Sequence, residues 1–218
     1  MAKLNWDLVG ERQYETGVKQ GVLYPQVDGA YPKGVAWNGL SAVTESPSGA
    51  EATPVYADDT KYLNLISVEE FGATVEAYMY PAEFDACLGN EDLVPGVTIG
   101  QQAHQAFGMC YKTTVGNDTK GNAFGYKLHL IYGATAAPSE RNYQTINDSP
   151  EPITMSFELT TTPVAVTGKQ PTASLCIDST KTDAKIMAAL EAALYGTDDE
   201  EAYLPLPDEI VEIIASAQ

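Results

Sequence analysis

Basic residues are scarce in this sequence. Twelve Lys and Arg stand against 30 Asp and Glu in 218 residues, a formal net charge of −18. Such a balance argues against nucleic-acid binding by phosphate neutralisation. Histidine is scarcer still: only His104 and His129 occur, too separated in pattern for a His-rich metal site. The three cysteines, Cys87, Cys110 and Cys176, form no C-x-x-C pair, which excludes a zinc knuckle or a thioredoxin motif. All three lie in apolar or strand-like contexts and are expected as buried free thiols. No apolar run is long enough to span a bilayer. Residues 1–7 lack the hydrophobic centre of a secretory signal, so none is expected.

Catalytic signatures are missing too. There is no G-x-S-x-G elbow, no G-x-G-x-x-G and no Walker loop. Asp58-Asp59, Glu69-Glu70 and the acidic run 198–201 invite a calcium or glycosidase reading. The EF-hand spacing is absent, however, and adjacent carboxylates on a strand point to opposite faces. They read as solvated charge. No catalytic, cofactor-binding or metal-binding residue is assigned, and no cofactor is implied. Two glycosylation-like triplets, 117–119 and 147–149, have no meaning in a chain made in the cytosol.

What the sequence does contain favours strands and turns: 13 Tyr, 18 Gly and 13 Pro. Short strands are predicted over 21–24, 35–43, 62–68 and 74–79. Pro81 opens a short helix with Phe84, Cys87 and Leu88 on one face and Gly89 ending it. A hairpin is predicted from 105–115 and 123–132, joined by the turn-rich segment 116–122. Phe107, Met109 and Tyr111 share one of its faces, and His129 falls between Leu128 and Leu130, facing solvent or an interface. In the strand predicted over 153–160, Ile153, Met155, Phe157 and Leu159 alternate with Thr154, Ser156, Glu158 and Thr160. A last strand covers 173–177. A helix over 183–195, capped at Thr182 or Asp183, carries a stripe of Ile186, Met187, Leu190, Ala193 and Leu194 and stops at Gly196. Pro207 starts a final short helix with Ile210, Ile213 and Ile214 on one side, packed on the domain or docked on a neighbour.

These elements predict a mainly β protein, a β-sandwich or barrel-like domain over 21–196 with a flanking helix and extended arms and loops. Residues 1–20 read as an N-terminal arm. Residues 44–60 read as a long loop, of which 44–51 has no hydrophobic period. Residues 197–218, with seven acidic and no basic side chains, read as an acidic tail with a short helix.

Four blocks of sequence carry a resemblance: 49–59 (GAEATPVYADD), 75–84 (VEAYMYPAEF), 126–134 (YKLHLIYGA) and 158–164 (ELTTTPV). In order and flavour they resemble the major tail protein, or tail tube protein, of long-tailed bacteriophages with non-contractile tails, over about residues 10–195. The resemblance implies a structural virion protein, not an enzyme. It would be made in the host bacterial cytoplasm and would close into hexameric rings stacked as a tube. A tape-measure protein would fill the lumen first, viral DNA would pass through it without specific binding, and terminator and tip proteins would close the ends. Rings that close and stacks that do not both need open strand edges and arms. In that setting Glu76 and Glu158 are the candidate lumen-facing acids. Trp6, Tyr14, Glu45, Pro47, Glu51 and Tyr56 are the candidate subunit and inter-ring contacts. Two other readings compete: a tube or head decoration protein of a related particle, and a ligand- or carbohydrate-binding β-sandwich using Trp37 and Tyr31 as a sugar platform. An acidic hydrolase would need two carboxylates converging in a cleft.

Overall fold

A computed structural model describes residues 3–146, 148 and 151–217. Asn147 and Ser149 of the second triplet lie outside the described residues. In chain order the elements are β1 (Gln13–Pro25), β2 (Val35–Trp37), β3 (Leu40–Glu45), β4 (Ser48–Gly49), β5 (Ala52–Ala57), β6 (Thr60–Ile66), β7 (Glu69–Glu70) and β8 (Gly72–Ala77). There follow α1 (Phe84–Cys87), β9 (Glu91–Val94), β10 (Val97–Ile99), β11 (Phe107–Asn117), β12 (Gly121–Ala136), β13 (Met155–Thr161), β14 (Ser174–Asp178), α2 (Ala184–Tyr195) and α3 (Pro207–Ser216). The protein is mainly β, as the alternation predicts.

The main sheet is antiparallel, ordered β2-β1-β11-β12-β13-β8-β3, with β14 pairing β12 beside β13. Its end strands β2 and β3 are separated in sequence only by Asn38 and Gly39, so the sheet must roll up until its ends nearly meet. Side chains from across the order accordingly share one core: Leu23, Trp37, Val75, Phe107, Met109, Ile131, Phe157 and Leu159. Helix α1 supplies Phe84, fully buried, whose ring centroid lies 4.6 Å from Trp37, 5.1 Å from Phe157 and 5.3 Å from Phe107. Such tilted aromatic pairs contribute about 0.5–1.5 kcal/mol each beyond their burial.

The period of two places the alternate residues on the outer face. There Val22, Tyr24, Cys110, Leu128, Leu130 and Tyr132 form a second core with Ile186, Met187, Leu190 and Leu194 of α2 and Ile210 of α3. One wall of the barrel is thus buried on both faces. The Asp183 carboxylate caps α2 by accepting from the Lys185 amide at 2.8 Å. The Glu209 carboxylate accepts from the Leu206 amide at 2.7 Å and starts α3.

Gly133 divides β12 between two partners. Before it, residues 127–131 pair with β14. After it, residues 134–136 pair with β13. Its φ is +56°, and a Cβ there would stand 2.1 Å from the Thr162 carbonyl oxygen. Only glycine fits both demands.

Several expectations change. The 44–60 segment is strand through much of its length: the end of β3, then β4 and β5. The N-terminal arm is shorter, because residues 13–20 pair with β11 as part of β1. The acidic tail is docked: Leu204 is buried, its amide bonds the Tyr31 carbonyl at 3.1 Å, and the Tyr132 phenol donates to the Pro205 carbonyl at 3.0 Å. The isoleucine stripe of α3 packs on the domain itself. Ile153 precedes β13 and is 39% exposed rather than core. Cys87 and Cys110 are buried, and burial pushes each thiol up to about 12. Cys176 is exposed, because neither helix covers its side of β14.

Candidate assembly surfaces

Residues 46–70 leave the barrel as one long β-hairpin, while Phe71 packs on the first core and its carbonyl accepts from the Thr161 hydroxyl. The pairing of β3 with β8 continues through β4 with β7 and β5 with β6 in a single frame, from Ala42–Glu76 through Ser48–Glu70 and Ala52–Ile66 to Val55–Leu63. Twelve residues per strand beyond Glu45 reach about 40 Å at the rise of a β-strand. The tip is the Asp58-Asp59 pair. These are not convergent carboxylates but turn residues with φ of +50° and +60°. Positive φ at two successive positions is what tight primed hairpin turns require, and Asp tolerates it better than most residues.

Every residue of β4, β5, β6 and β7 is exposed. Both faces of this arm nevertheless carry apolar groups. Val55, Leu63 and Leu65 lie on one, and Tyr62 and Ile66 on the other, with Tyr62 72%, Leu65 59% and Ile66 70% exposed. Polar solvated hairpins do not need such residues, and isolated two-stranded ribbons are marginal in water. Three further exposed apolar groups accompany the arm. Leu4, Trp6, Leu8 and Val9 lead the chain, Leu93, Val94 and Val97 lie on the β9–β10 hairpin, and Tyr143 and Ile146 follow β12.

The predicted contact residues divide among these surfaces. Trp6 is exposed on the leading segment. That segment is fixed at its base, where the Asp118 carboxylate accepts from the Gly10 amide at 3.0 Å and Asn117 donates to the Gly10 carbonyl at 3.1 Å. Tyr14 is half-exposed but committed internally, donating to Asn122 at 2.9 Å. Pro47, Glu51 and Tyr56 all lie exposed along the arm. Glu45 sits at the arm's root and accepts a 2.6 Å hydrogen bond from Tyr111.

Glu76 and Glu158 lie on one face of neighbouring strands. Ser156 pairs with Glu76 and Glu158 with Thr74, so the two acids are diagonal neighbours, roughly 7–8 Å apart by sheet geometry. Thr44, Thr74, Ser156 and Thr160 share this face with them, and both acids are exposed. The cores lie elsewhere: Ala73, Val75, Ala77, Phe157 and Leu159 point inward, and α2 and α3 cover β1, β11, β12 and β14 instead. The outer face of β3, β8 and β13 is therefore a polar sheet with net negative charge.

Neither a protein-family model nor a curated protein matches the chain. Among solved structures, a chain of the anti-feeding prophage (AFP) baseplate is similar at 11% identity and a TM-score of 0.41, over 82% of this chain and 99% of that one. A chain of the sheath–tube complex of PVC, an extracellular contractile injection system in its extended state, is similar at 9% identity and a TM-score of 0.31, over 73% of this chain and 88% of that one. At this level of similarity no role transfers from either.

The sugar-platform reading is overturned. Trp37 and Tyr31 are 4% and 2% exposed; the Trp37 indole donates to the Met79 carbonyl at 3.0 Å, and the Tyr31 phenol accepts from the Gly133 amide at 2.8 Å. Among the described residues, no group of three or more His, Cys, Asp and Glu side chains is placed to hold a metal ion. No described helix is long and apolar enough to cross a membrane. His104 bonds the Cys87 carbonyl through Nδ1 at 3.1 Å. His129 is largely buried at the barrel mouth rather than facing solvent.

The strand predicted over 62–68 is present as β6, while its partner β5 lies in the segment predicted as loop, because residues buried on neither face show no alternation. The signal that marks it is the Asp58-Asp59 turn between two β-prone runs. Pro95-Gly96 likewise marks the β9–β10 hairpin.

Proposed function

We propose that this chain is a structural tail-tube subunit that assembles with copies of itself into stacked rings. The observation that carries this reading is the 46–70 arm, exposed along its whole length yet apolar on both faces. Left bare, such an edge is an aggregation hazard; completed by neighbouring subunits, it becomes a contact. The leading segment with Trp6 and the β9–β10 hairpin add apolar surface of the same kind.

In this reading the polar face of β3, β8 and β13 lines the bore, with Glu76 and Glu158 pointing into it. Like charge repels phosphate within about 8–10 Å at physiological salt, so DNA slides rather than binds. Hexameric rings, a tape-measure protein in the bore before the genome, terminator and tip proteins at the ends, and a virion location belong to the same proposal. No cofactor enters it.

Negative-stain electron microscopy of the purified protein across a concentration series tests it. The expected result is rings or hollow filaments above a threshold concentration, without added ligand. Monodisperse single subunits at all concentrations and salts would overturn it.

A further inference from the structure

At the mouth of the barrel, strands from both ends of the sheet bring ionisable side chains together over the edge of the aromatic core. His129 of β12 stacks on Tyr111 of β11, with ring centroids 4.7 Å apart and planes 2° from parallel. Its Nε2 lies 3.3 Å from Glu15 Oε1 on β1, and its Nδ1 lies 3.5 Å from Glu45 Oε1 on β3. Thr113 donates to Glu15 Oε1 at 2.6 Å and stands 3.0 Å from His129 Nε2. Lys127 pairs with the other Glu15 oxygen. Cys176 and Asp178 of β14, in register with His129 and Lys127, complete the titratable groups on this face.

The two carboxylates come from different sides of the rolled sheet. Glu15 belongs to β1, near one end of the strand order, and Glu45 to β3, at the other. A neutral imidazole has one N–H and one lone pair. Whichever nitrogen carries the proton, the other turns its lone pair toward a carboxylate. Only the imidazolium faces both with an N–H and a positive charge, as a hydrogen bond to Glu15 and an ion pair to Glu45. The remaining links stay constant while histidine titrates. Burial, then the bond to Glu45, pushes the Tyr111 phenol up, so it remains a donor. The bond to Glu15 pushes the Lys127 ammonium up, so it remains charged.

We propose that His129 is a proton-operated latch, its imidazolium tying Glu15 to Glu45 across the barrel mouth and its neutral form giving up one side of that tie, so that Glu45 is held from β11 by Tyr111 and Glu15 by Lys127 and Thr113 with no bridge between them. Glu45 is the last residue of β3, and the exposed arm begins immediately after it. The latch therefore acts on the root of the arm. The imidazolium pins that root from both sides and the neutral ring does not, and histidine as a residue type changes charge between about pH 5 and 8, the interval the test brackets. The consequence for assembly, an arm held at a defined angle in mild acid, rests on the tube reading. The latch itself does not.

Hydrogen–deuterium exchange of dilute protein, before any assembly threshold, tests the latch alone. Amide protection over 43–51 and 67–74 is compared at about pH 5.5 and about pH 8, corrected for intrinsic exchange. The expected result is at least a threefold gain in protection at the lower pH, absent in His129→Gln. If His129→Gln does not fold, Glu45→Gln serves, since its amide still accepts from Tyr111 but carries no charge; it too should lose the pH dependence. Equal protection of the wild type at both pH values, or the same gain in the variants, overturns the latch. Light scattering on the same samples reports assembly separately, so a working latch in a chain that never forms rings would sink the tube reading alone.

Discussion

Replacing Leu65 and Ile66 together by serine strips apolar surface from both faces of the arm without touching the barrel. Leu65 is 59% exposed and Ile66 70% exposed, and fully burying either side chain is worth about 1.5–3 kcal/mol. The portion still available for burial comes to about 1.5 kcal/mol at each position, or about 3 kcal/mol per arm. If every arm docks on a neighbour, the threshold concentration for assembly rises about 150-fold, since 1.4 kcal/mol is a factor of about ten. The isolated subunit should barely notice, because surface substitutions away from packed features stay within about 0.5 kcal/mol. Sedimentation across a dilution series gives the threshold, and urea unfolding of dilute protein gives the subunit's stability. An unchanged threshold would refute docking of the arm. A subunit that loses more than about 1 kcal/mol would show that the arm folds back on its own barrel.

Phe84→Ala should act in the opposite way, on stability before assembly. It empties the centre of the Trp37, Phe107 and Phe157 cluster and should cost about 3–5 kcal/mol, lowering the calorimetric Tm by on the order of 10 °C. Glu15→Gln should change the acid limb of stability. Burial raises the Glu15 carboxyl, but Lys127 and Thr113 outweigh it and hold it below its ordinary value. A depressed carboxyl stabilises above its unfolded value of about 4.3 and loses that contribution as pH falls through the folded value. Urea unfolding at steps from about pH 5 down to 2.5 should show a flatter decline in the variant than in the wild type, and an identical slope would mean that Glu15 is not engaged in the folded state.

The parts of the fold that a sequence reader can find are those buried on one face. The 105–115 and 123–132 runs, the strand through Phe157 and the helix ending at Gly196 all show a clean period, and each appears close to its predicted span. β1 was half visible. Residues 21–24 point alternately into two cores, but Gln13 to Gln20 are mostly exposed and lose the pattern. Of the arm, the strand over 62–68 is legible and appears as β6, but its partner β5 is not, since solvent on both faces imposes no alternation. The docking of residues 202–214 was illegible for another reason: it depends on Tyr24 and Tyr132 being presented by strands, and Tyr31 by the β1–β2 connection, far upstream. The same holds for Glu15, Glu45 and His129, whose meeting is set by how the sheet rolls and by no local motif. The candidate lumen pair is an intermediate case. Glu76 and Glu158 were each marked by alternation, while their adjacency required the β8–β13 register.

The constant register that joins the arm to β3 and β8, carried by separate short ladders with Gly49 and Ala50 at φ of +84° and +52° between two of them, makes the hairpin a jointed pointer rather than a loose tether. Rotating the wall by about 10° sweeps the Asp58-Asp59 tip through about 7 Å over a reach of about 40 Å. A neighbour gripping that tip would feel small distortions of the barrel magnified, and would transmit its own shifts back to the wall. Torque could then pass from one copy to the next along a filament through hydrogen-bonded backbone.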